Sequence, residues 1–235
     1  MAQHLKLIAL LIFTLSASYT SAQSLRKLLE RPYGIIESKW EKDAQVDNPF
    51  KSASSYTFYR GKFPKDFNIQ TPYALPVKNN QKTAWKTDPR EPFKTLNFHI
   101  KQGDTIYATR SGIACKTTNP QQLLIYHPDQ TFAAYLVINE NFIEPGEEVQ
   151  VGQAIGKAGP TGAAISFFFL DENKFKGGLS SGYPYSHFIP VFRTTEGDVK
   201  PEEKTIYQAV TDHDLIMQDM SKRNKKKYMK LHNLE

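Results

Sequence analysis

The feature that most constrains the fold is a series of short apolar segments between residues 103 and 170. Each segment is rich in β-branched or aromatic residues and is bounded by Gly, Pro, Asn or Asp; the segments cover residues 103–114, 122–126, 131–138, 144–159 and 165–170. Short runs of this kind between turn residues are typical of strands and hairpins. The series predicts a mainly β protein, an antiparallel β-sandwich or barrel-like fold of duplicated hairpins with short terminal helices.

The N-terminus has the pattern of a secretory signal peptide. Lys6 precedes an apolar run over residues 7–15, and residues 20–22 are the small residues Thr-Ser-Ala of a cleavage site. The apolar run is too short to span a membrane. We therefore expect a signal peptide over residues 1–22 and a mature chain that begins near Gln23. The mature chain is expected to be secreted across the inner membrane, to be periplasmic or extracellular, and to have no transmembrane segment.

The net charge of +6 is concentrated in the C-terminal tail. Residues 221–235 set six cationic side chains against Glu235, and these are Lys222, Arg223, Lys225, Lys226, Lys227 and Lys230. Since the rest of the chain is close to neutral, the charge pattern indicates no nucleic-acid-binding face. The basic tail is either a solvated helical end or a segment that contacts an anionic surface.

Composition divides the chain into four regions. These are the signal peptide (residues 1–22), an N-terminal arm (residues 23–73), the β domain (residues 74–192) and a C-terminal extension with the basic tail (residues 193–235).

Local patterns predict a few further elements. Residues 24–30 and 214–220 are expected to form short helices, and residues 188–192 an edge strand interrupted by Pro190. Cys115 is the only cysteine, so no internal disulfide can form, and its apolar neighbours predict a buried, unreactive thiol.

Two of the β segments resemble motifs of a known family. Residues 144–159 are similar to the hairpin "v-k-x-G-d-x-V-x-x-G-q-x-I-G-x-x-G" and residues 103–112 to "G-t-p-V-y-A-x-x-x-G" of the lysostaphin/LytM-type zinc endopeptidases, which cut peptidoglycan cross-bridges. The resemblance covers residues 74–192. Lipoyl and biotinyl carrier domains use a related strand pair, but the lysine that they need at a tight turn is missing from this sequence.

The resemblance implies where zinc ligands would lie. In the family, a His, an Asp four residues later and the second His of a His-x-His strand bind zinc, which activates a water for attack on an amide. Alignment places the first His on Phe93 and the Asp on Asn97, a further "Y-A-H-L" His on Val137, and the His-x-His pair on Ile165 and Phe167. None of these side chains suits zinc. We therefore expect a pseudopeptidase with no catalytic residue, no metal and no cofactor.

The former active-site positions then become candidates for a binding groove. They are Phe93, Asn97, Tyr135, Val137, Ile165 and Phe167. The apolar members could close the site as a buried plug, or they could line an aromatic groove that binds a glycan or a peptide. In the second case Phe168 and the loop at residues 183–185 could stack on sugar faces.

Three functions are compatible with these residues. The preferred one is a secreted non-catalytic protein that binds peptidoglycan or a cell-envelope protein and regulates an active wall hydrolase. The second is a zinc metalloendopeptidase acting on peptidoglycan peptides with displaced ligands, which are His99, His127, Asp129 and His187. The third is an envelope structural protein in which the β domain is a scaffold and the basic tail makes the contacts.

Overall fold

The structure, a computed structural model, consists mainly of short strands. It describes residues 63–64, 68–90, 94–115, 117, 119–136, 138–176, 185–200 and 202–234. The strands are β1 (Tyr73–Ala74), β2 (Lys82–Thr83), β3 (Trp85–Asp88), β4 (Thr95–Phe98), β5 (Thr105–Tyr107), β6 (Gly112–Cys115), β7 (Leu123–Tyr126), β8 (Thr131–Leu136), β9 (Ile138–Asn141), β10 (Glu148–Val149), β11 (Ala154–Ala158), β12 (Ala163–Leu170), β13 (Tyr185–His187), β14 (Phe192–Thr194), β15 (Gly197–Val199) and β16 (Tyr207–Gln208). The helices are α1 (Glu172–Lys176), α2 (His213–Met217) and α3 (Lys222–Leu231).

The predicted mainly β class is confirmed, and all strand pairs but one are antiparallel in the described residues. The exception is β1, which runs parallel to β14. The predicted signal peptide, most of the N-terminal arm and the predicted helix over residues 24–30 lie outside the described residues.

The main sheet has eight strands, and β12 is the strand around which it is organised. Its order is β10-β6-β7-β8-β12-β4-β3, with β13 also paired to β12. Along one side of β12, β8 pairs with residues 164–169. Along the other side, β4 pairs with residues 163–165 and β13 with residues 168–170. β12 therefore has paired neighbours on both sides.

The β7–β8 hairpin shows how local chemistry sets the turns. The Gln130 N–H donates to the carbonyl of His127 (2.9 Å), and Gln130 has a positive φ of 71°. The Asp129 carboxylate accepts from the backbone N–H of Thr131 (3.1 Å). An aspartate that bonds its own backbone two residues on is a common device for reversing the chain. His127 therefore belongs to a turn at the end of the main sheet.

Three smaller sheets complete the domain. They have the orders β5-β11-β9, β1-β14-β15 and β16-β2. Ile155 of β11 and Phe192 of β14 belong to the same buried cluster as Ile165 of the main sheet, so one core joins these sheets. The predicted domain boundary after residue 192 falls inside β14, and β16 pairs with β2. The first part of the predicted C-terminal extension is thus built into the β domain.

A second apolar cluster covers the opposite face of the main sheet at one end. Phe168 of β12 stacks on Phe132 of β8, with ring centroids 5.1 Å apart and planes 8° apart, and Tyr185 packs on Phe168. Cys115 lies in this cluster with 2% of its surface exposed. Burial raises the pKa of the Cys115 thiol, which fits the predicted unreactive residue.

Two helices follow the β domain. The Asp212 carboxylate accepts from the N–H of Leu215 (2.8 Å) and caps α2, and the Ser221 hydroxyl accepts from the N–H of Asn224 (3.3 Å) and caps α3. The helix predicted over residues 214–220 therefore ends earlier, and the basic run forms a second helix. In the described part of the chain no helix combines the length and the apolar character needed to cross a membrane.

Candidate functional site

One face of the main sheet carries Asn97, the position that the resemblance assigns to the zinc-binding aspartate. Asn97 on β4 lies directly opposite Ala164 on β12 and opposite Lys86 on β3. Directly opposed residues in antiparallel strands point to the same face, and side chains alternate along each strand. Asn97, Lys86, Ala164 and Ser166 therefore share one face of the sheet.

Ile165 and Phe167, the positions predicted for the His-x-His pair, lie on the other face. They are 0% and 1% exposed, and Phe167 makes an edge contact with Phe192 at 5.9 Å between ring centroids. Ile165 is paired with Leu96, which also lies in the main core. The structure thus places Ile165 and Phe167 in the core, away from Asn97. Because strand side chains repeat every two residues, a slip of one residue in the alignment moves both positions to the wrong face.

The residues that do share a face with Asn97 do not fit zinc. Ala164 has no donor atom, and a serine hydroxyl such as that of Ser166 is not among the usual zinc ligands, which are Cys, His, Asp and Glu. Asn97 is a neutral amide whose Oδ1 accepts a hydrogen bond from Thr95 (3.1 Å). Phe93 and Val137 lie outside the described residues, but neither side chain has a lone pair. The donor set of the zinc peptidases is therefore missing in either register.

The structure also separates the alternative ligands His99, His127 and His187. His99 is exposed beyond the end of β4, whereas His127 is 1% exposed and its Nδ1 lies 2.8 Å from the carbonyl oxygen of Ser111. The His187 ring packs in β13 against Phe168, 6.2 Å away. In the described ranges, no group of three or more His, Cys, Asp or Glu side chains is placed to hold a metal ion.

An open groove of about 600 Å³ lies beside Asn97. It runs between the β3–β4 strands and the β11–β12 turn, and its lining residues are Lys86, Asn97, Phe98, His99, Ile100, Lys101, Gln102, Pro160, Thr161 and Gly162. Lys86, His99 and Lys101 are exposed in it, and none of the lining side chains is a carboxylate. The groove is therefore polar and cationic, where the sequence had suggested aromatic. The odd-numbered series Asn97, His99, Lys101 was the sequence signal that could have revealed it.

The wall of this groove depends on Gly162. Gly162 has a positive φ of 86°, and a Cβ added to it would lie 2.6 Å from the carbonyl oxygen of Phe98. Only glycine adopts this conformation readily and also allows such a close backbone approach. The β11–β12 turn can therefore sit directly on the end of β4.

The aromatic residues proposed for sugar stacking are buried. Tyr135 is 1% exposed, and its hydroxyl accepts from the N–H of Thr109 (2.8 Å). Burial raises the pKa of Tyr135 to about 12. Phe168 and Tyr185 belong to the second apolar cluster, and residues 183–184 lie outside the described residues. Tyr135, Phe168 and Tyr185 therefore stabilise the fold and do not line an open site.

A buried polar cluster lies apart from the groove and centres on Arg110. Arg110 is 4% exposed; it forms ion pairs with Asp129 and with Asp219 (2.8 Å), and it donates to the Tyr73 hydroxyl at 3.2 Å. Burial by itself lowers the pKa of Arg110, but the hydrogen bond to Asp219 and the neighbouring negative groups raise the pKa overall. The guanidinium therefore stays charged and links the β domain to the segment between α2 and α3.

His127 lies at the edge of this cluster. Burial, and next the positive charge of Arg110, lower the pKa of His127 from 6.5 to about 4. Its Nε2 is buried without a hydrogen-bond partner in the described part of the chain. The imidazole is thus neutral near pH 7, and its Nδ1 contact holds the Ser111 backbone.

Comparisons with known proteins agree with the resemblance seen in the sequence. Residues 91–169, less than half of the 235-residue chain, match the model of peptidase family M23. No curated protein matches the chain.

Three solved structures illustrate the similarity in fold. Pseudoalterin, an M23 metalloprotease from the deep sea, is 12% identical with a TM-score of 0.34, and the match covers 41% of this chain and 68% of that one. A zinc-containing peptidase from Vibrio cholerae is 21% identical with a TM-score of 0.30 (46% and 36% covered). Lysostaphin is 18% identical with a TM-score of 0.32 (52% and 57% covered). These values are too low to transfer the role of any residue.

The family assignment therefore rests on the segment matched by the family model and on the missing donors described above. The chain resembles the lysostaphin/LytM-type zinc endopeptidases of peptidase family M23 as a degenerate member that lacks their zinc ligands.

Proposed function

We propose that this protein is a secreted, non-catalytic M23-type protein that binds cell-wall peptide in the groove beside Asn97. The observation that carries the proposal is the pairing of Asn97 with Ala164. The sheet face that bears Asn97 offers no donor set for zinc, yet an open groove is retained next to it. A chain that keeps the groove without the metal ligands is suited to binding and not to hydrolysis.

The charge of the groove indicates the chemistry of its ligand. Lys86 and Lys101 are exposed, and no carboxylate among the lining residues neutralises them. Peptide stems of peptidoglycan carry carboxylates, and the groove also offers the amides of Asn97 and Gln102 as hydrogen-bonding groups. Contacts between exposed charges contribute only about 0.2–1 kcal/mol each. We therefore expect weak binding to single peptides and stronger retention on the polymer, where many sites are linked.

A sedimentation assay with insoluble peptidoglycan tests the groove. The variant Lys86→Glu/Lys101→Glu should lose most of its retention, because two attractive charges become repulsive. The matched control is Lys82→Glu/Lys200→Glu, which makes the same change in charge at two exposed lysines outside the groove. Equal retention by both double variants would count against the groove as the binding site. Retention that requires an added envelope protein would instead indicate a regulatory partner, such as an active wall hydrolase.

Metal analysis and a digestion assay test the non-catalytic part of the proposal. After dialysis against trace zinc, the purified protein should contain far less than one zinc per chain and should release no peptidoglycan fragments. About one zinc per chain together with cleavage would show that the protein is a metallopeptidase with displaced ligands. In that case His99→Ala and His127→Ala should each reduce zinc content and cleavage.

A further inference from the structure

Helix α3 carries an unusual concentration of positive charge. Between Lys222 and Leu231 it has six cationic residues and no acidic one; they are Lys222, Arg223, Lys225, Lys226, Lys227 and Lys230. None of the helix residues is buried. The sequence left two possibilities open for this segment, a solvated end or a contact with an anionic surface, and the placement of its side chains distinguishes them.

One side of α3 faces the protein. The Tyr228 hydroxyl is 2.9 Å from Nδ1 of His213 on α2, and the Tyr228 ring packs on His232 with centroids 4.2 Å apart. Lys225, Tyr228 and Met229 are the half-buried residues of the helix. This side of α3 is therefore occupied by its contact with α2.

The opposite side of α3 is a cationic face. Successive residues turn by about 100°, so five of the cations fall within a sector of about 140°. They are Lys222, Arg223, Lys226, Lys227 and Lys230, and all five are exposed. No ion pair joins any of them to a carboxylate of the described residues. The nearby carboxylates of Asp219 and Asp212 are already paired with Arg110 and Arg193.

This arrangement is unfavourable for the helix alone. Lys222 and Arg223 lie in the first turn, where the helix dipole disfavours cations. Lys222 and Lys226 are four residues apart, as are Lys226 and Lys230, and like charges at this spacing repel. A purely structural helix gains nothing from such a pattern, whereas an anionic surface would remove the repulsion and satisfy all five cations together.

We propose that α3 binds the surface of a membrane that contains anionic phospholipid. Leu231 is 77% exposed and Leu234 37% exposed at the end of the cationic face. On the helical projection Leu231 is the neighbour of Lys227, so it lies at the edge of the five cations. A soluble polyanion has no use for an exposed leucine, whereas a bilayer accepts cations at its headgroups and an apolar side chain below them. Leu231 therefore favours a lipid surface over a charged wall polymer.

Vesicle flotation tests this proposal with the full mature chain. Mixed phosphatidylglycerol and phosphatidylcholine vesicles should bind the protein in a salt-sensitive manner, and pure phosphatidylcholine vesicles should not. Each cation near such a surface raises partitioning roughly fivefold. The variant Lys222→Gln/Lys226→Gln/Lys230→Gln should therefore bind roughly a hundredfold less. Glutamine has a helix propensity close to that of lysine, so α3 should still form.

The control and a second variant separate the possible causes. Lys78→Gln/Lys82→Gln/Lys200→Gln removes the same charge from exposed lysines elsewhere and should bind almost as well as the parent chain. Leu231→Gln should reduce binding to vesicles and leave binding to soluble long-chain polyphosphate unchanged. Equal losses in the two triple variants would overturn the proposal, as would binding to polyphosphate without binding to anionic vesicles. Peptidoglycan retention through Lys86 and Lys101 is measured separately, so either proposal can fail alone.

Discussion

The Arg110–Asp219 ion pair should be the main attachment of the C-terminal helices to the β domain, and the variant Asp219→Asn tests this. The pair is bidentate, with Nε to Oδ2 at 2.9 Å and Nη2 to Oδ1 at 2.8 Å. The two side chains are 5% and 10% exposed. Hydrogen bonds to charged groups contribute about 1.5–3 kcal/mol each. Since Arg110 keeps Asp129 as a partner, we expect a loss near the lower limit, about 3 kcal/mol of unfolding free energy for the two bonds together.

The matched control is Asp198→Asn, which breaks a pair of similar geometry at the surface. Asp198 pairs with Arg193, but these side chains are 39% and 20% exposed. Solvent screening limits such a pair to about 0.2–1 kcal/mol. Urea denaturation followed by tryptophan fluorescence measures both variants, and hydrogen exchange over residues 213–231 reports whether α2 and α3 detach. If Asp219→Asn costs no more than Asp198→Asn, or if exchange over these helices is unchanged, the buried pair is not the attachment point.

Three further variants test other parts of the structure. The pKa of His127 is lowered from 6.5 to about 4, so the unfolded chain takes up the proton first, and the unfolding free energy should fall as the pH decreases through this window. The slope from this group reaches at most about 1.4 kcal/mol per pH unit, and His127→Gln should flatten it in denaturation curves measured at several pH values. Ser166→Ala should raise stability by about 1 kcal/mol, since the buried Ser166 Oγ has no hydrogen-bond partner among the described residues; a loss of stability would indicate a partner for it. Gly162→Ala should cost about 2 kcal/mol or more, because it strains a positive φ and pushes a methyl group against the Phe98 carbonyl, whereas Gly103→Ala, which meets no atom within 4 Å, should cost less.

The strand series was predictable because its signal is local. The β-branched and aromatic runs over residues 103–170 became β5 to β12, with turns at the residues that favour them. Two local predictions were wrong in detail. The edge strand expected over residues 188–192 appears instead as β13 and β14 on either side of that segment, and the helix over residues 214–220 divides at the Ser221 cap. Both errors concern boundaries, which depend on pairing and capping partners.

The two faces of β12 could not be told apart from its sequence. Residues 163–170 read Ala-Ala-Ile-Ser-Phe-Phe-Phe-Leu, which is apolar at both alternate positions because apolar clusters cover both faces of its C-terminal half. Alternation between apolar and polar residues is the normal guide to strand orientation, and here it is nearly absent. Ser166 was the only polar residue in the strand, and it marked the face shared with Asn97.

The sequence by itself determined the β class and the lack of suitable zinc donors, because both follow from residue types at each position. Phe93, Val137 and Ala164 cannot bind zinc in any conformation. Only the tertiary structure decided which residues meet. Arg110 is separated by 19 residues from Asp129 and by 109 from Asp219, and strand pairing alone brings Lys86 beside Asn97. Such contacts depend on the register of distant segments, which no local pattern specifies, so the cationic groove and the buried polar cluster become visible only in the folded chain.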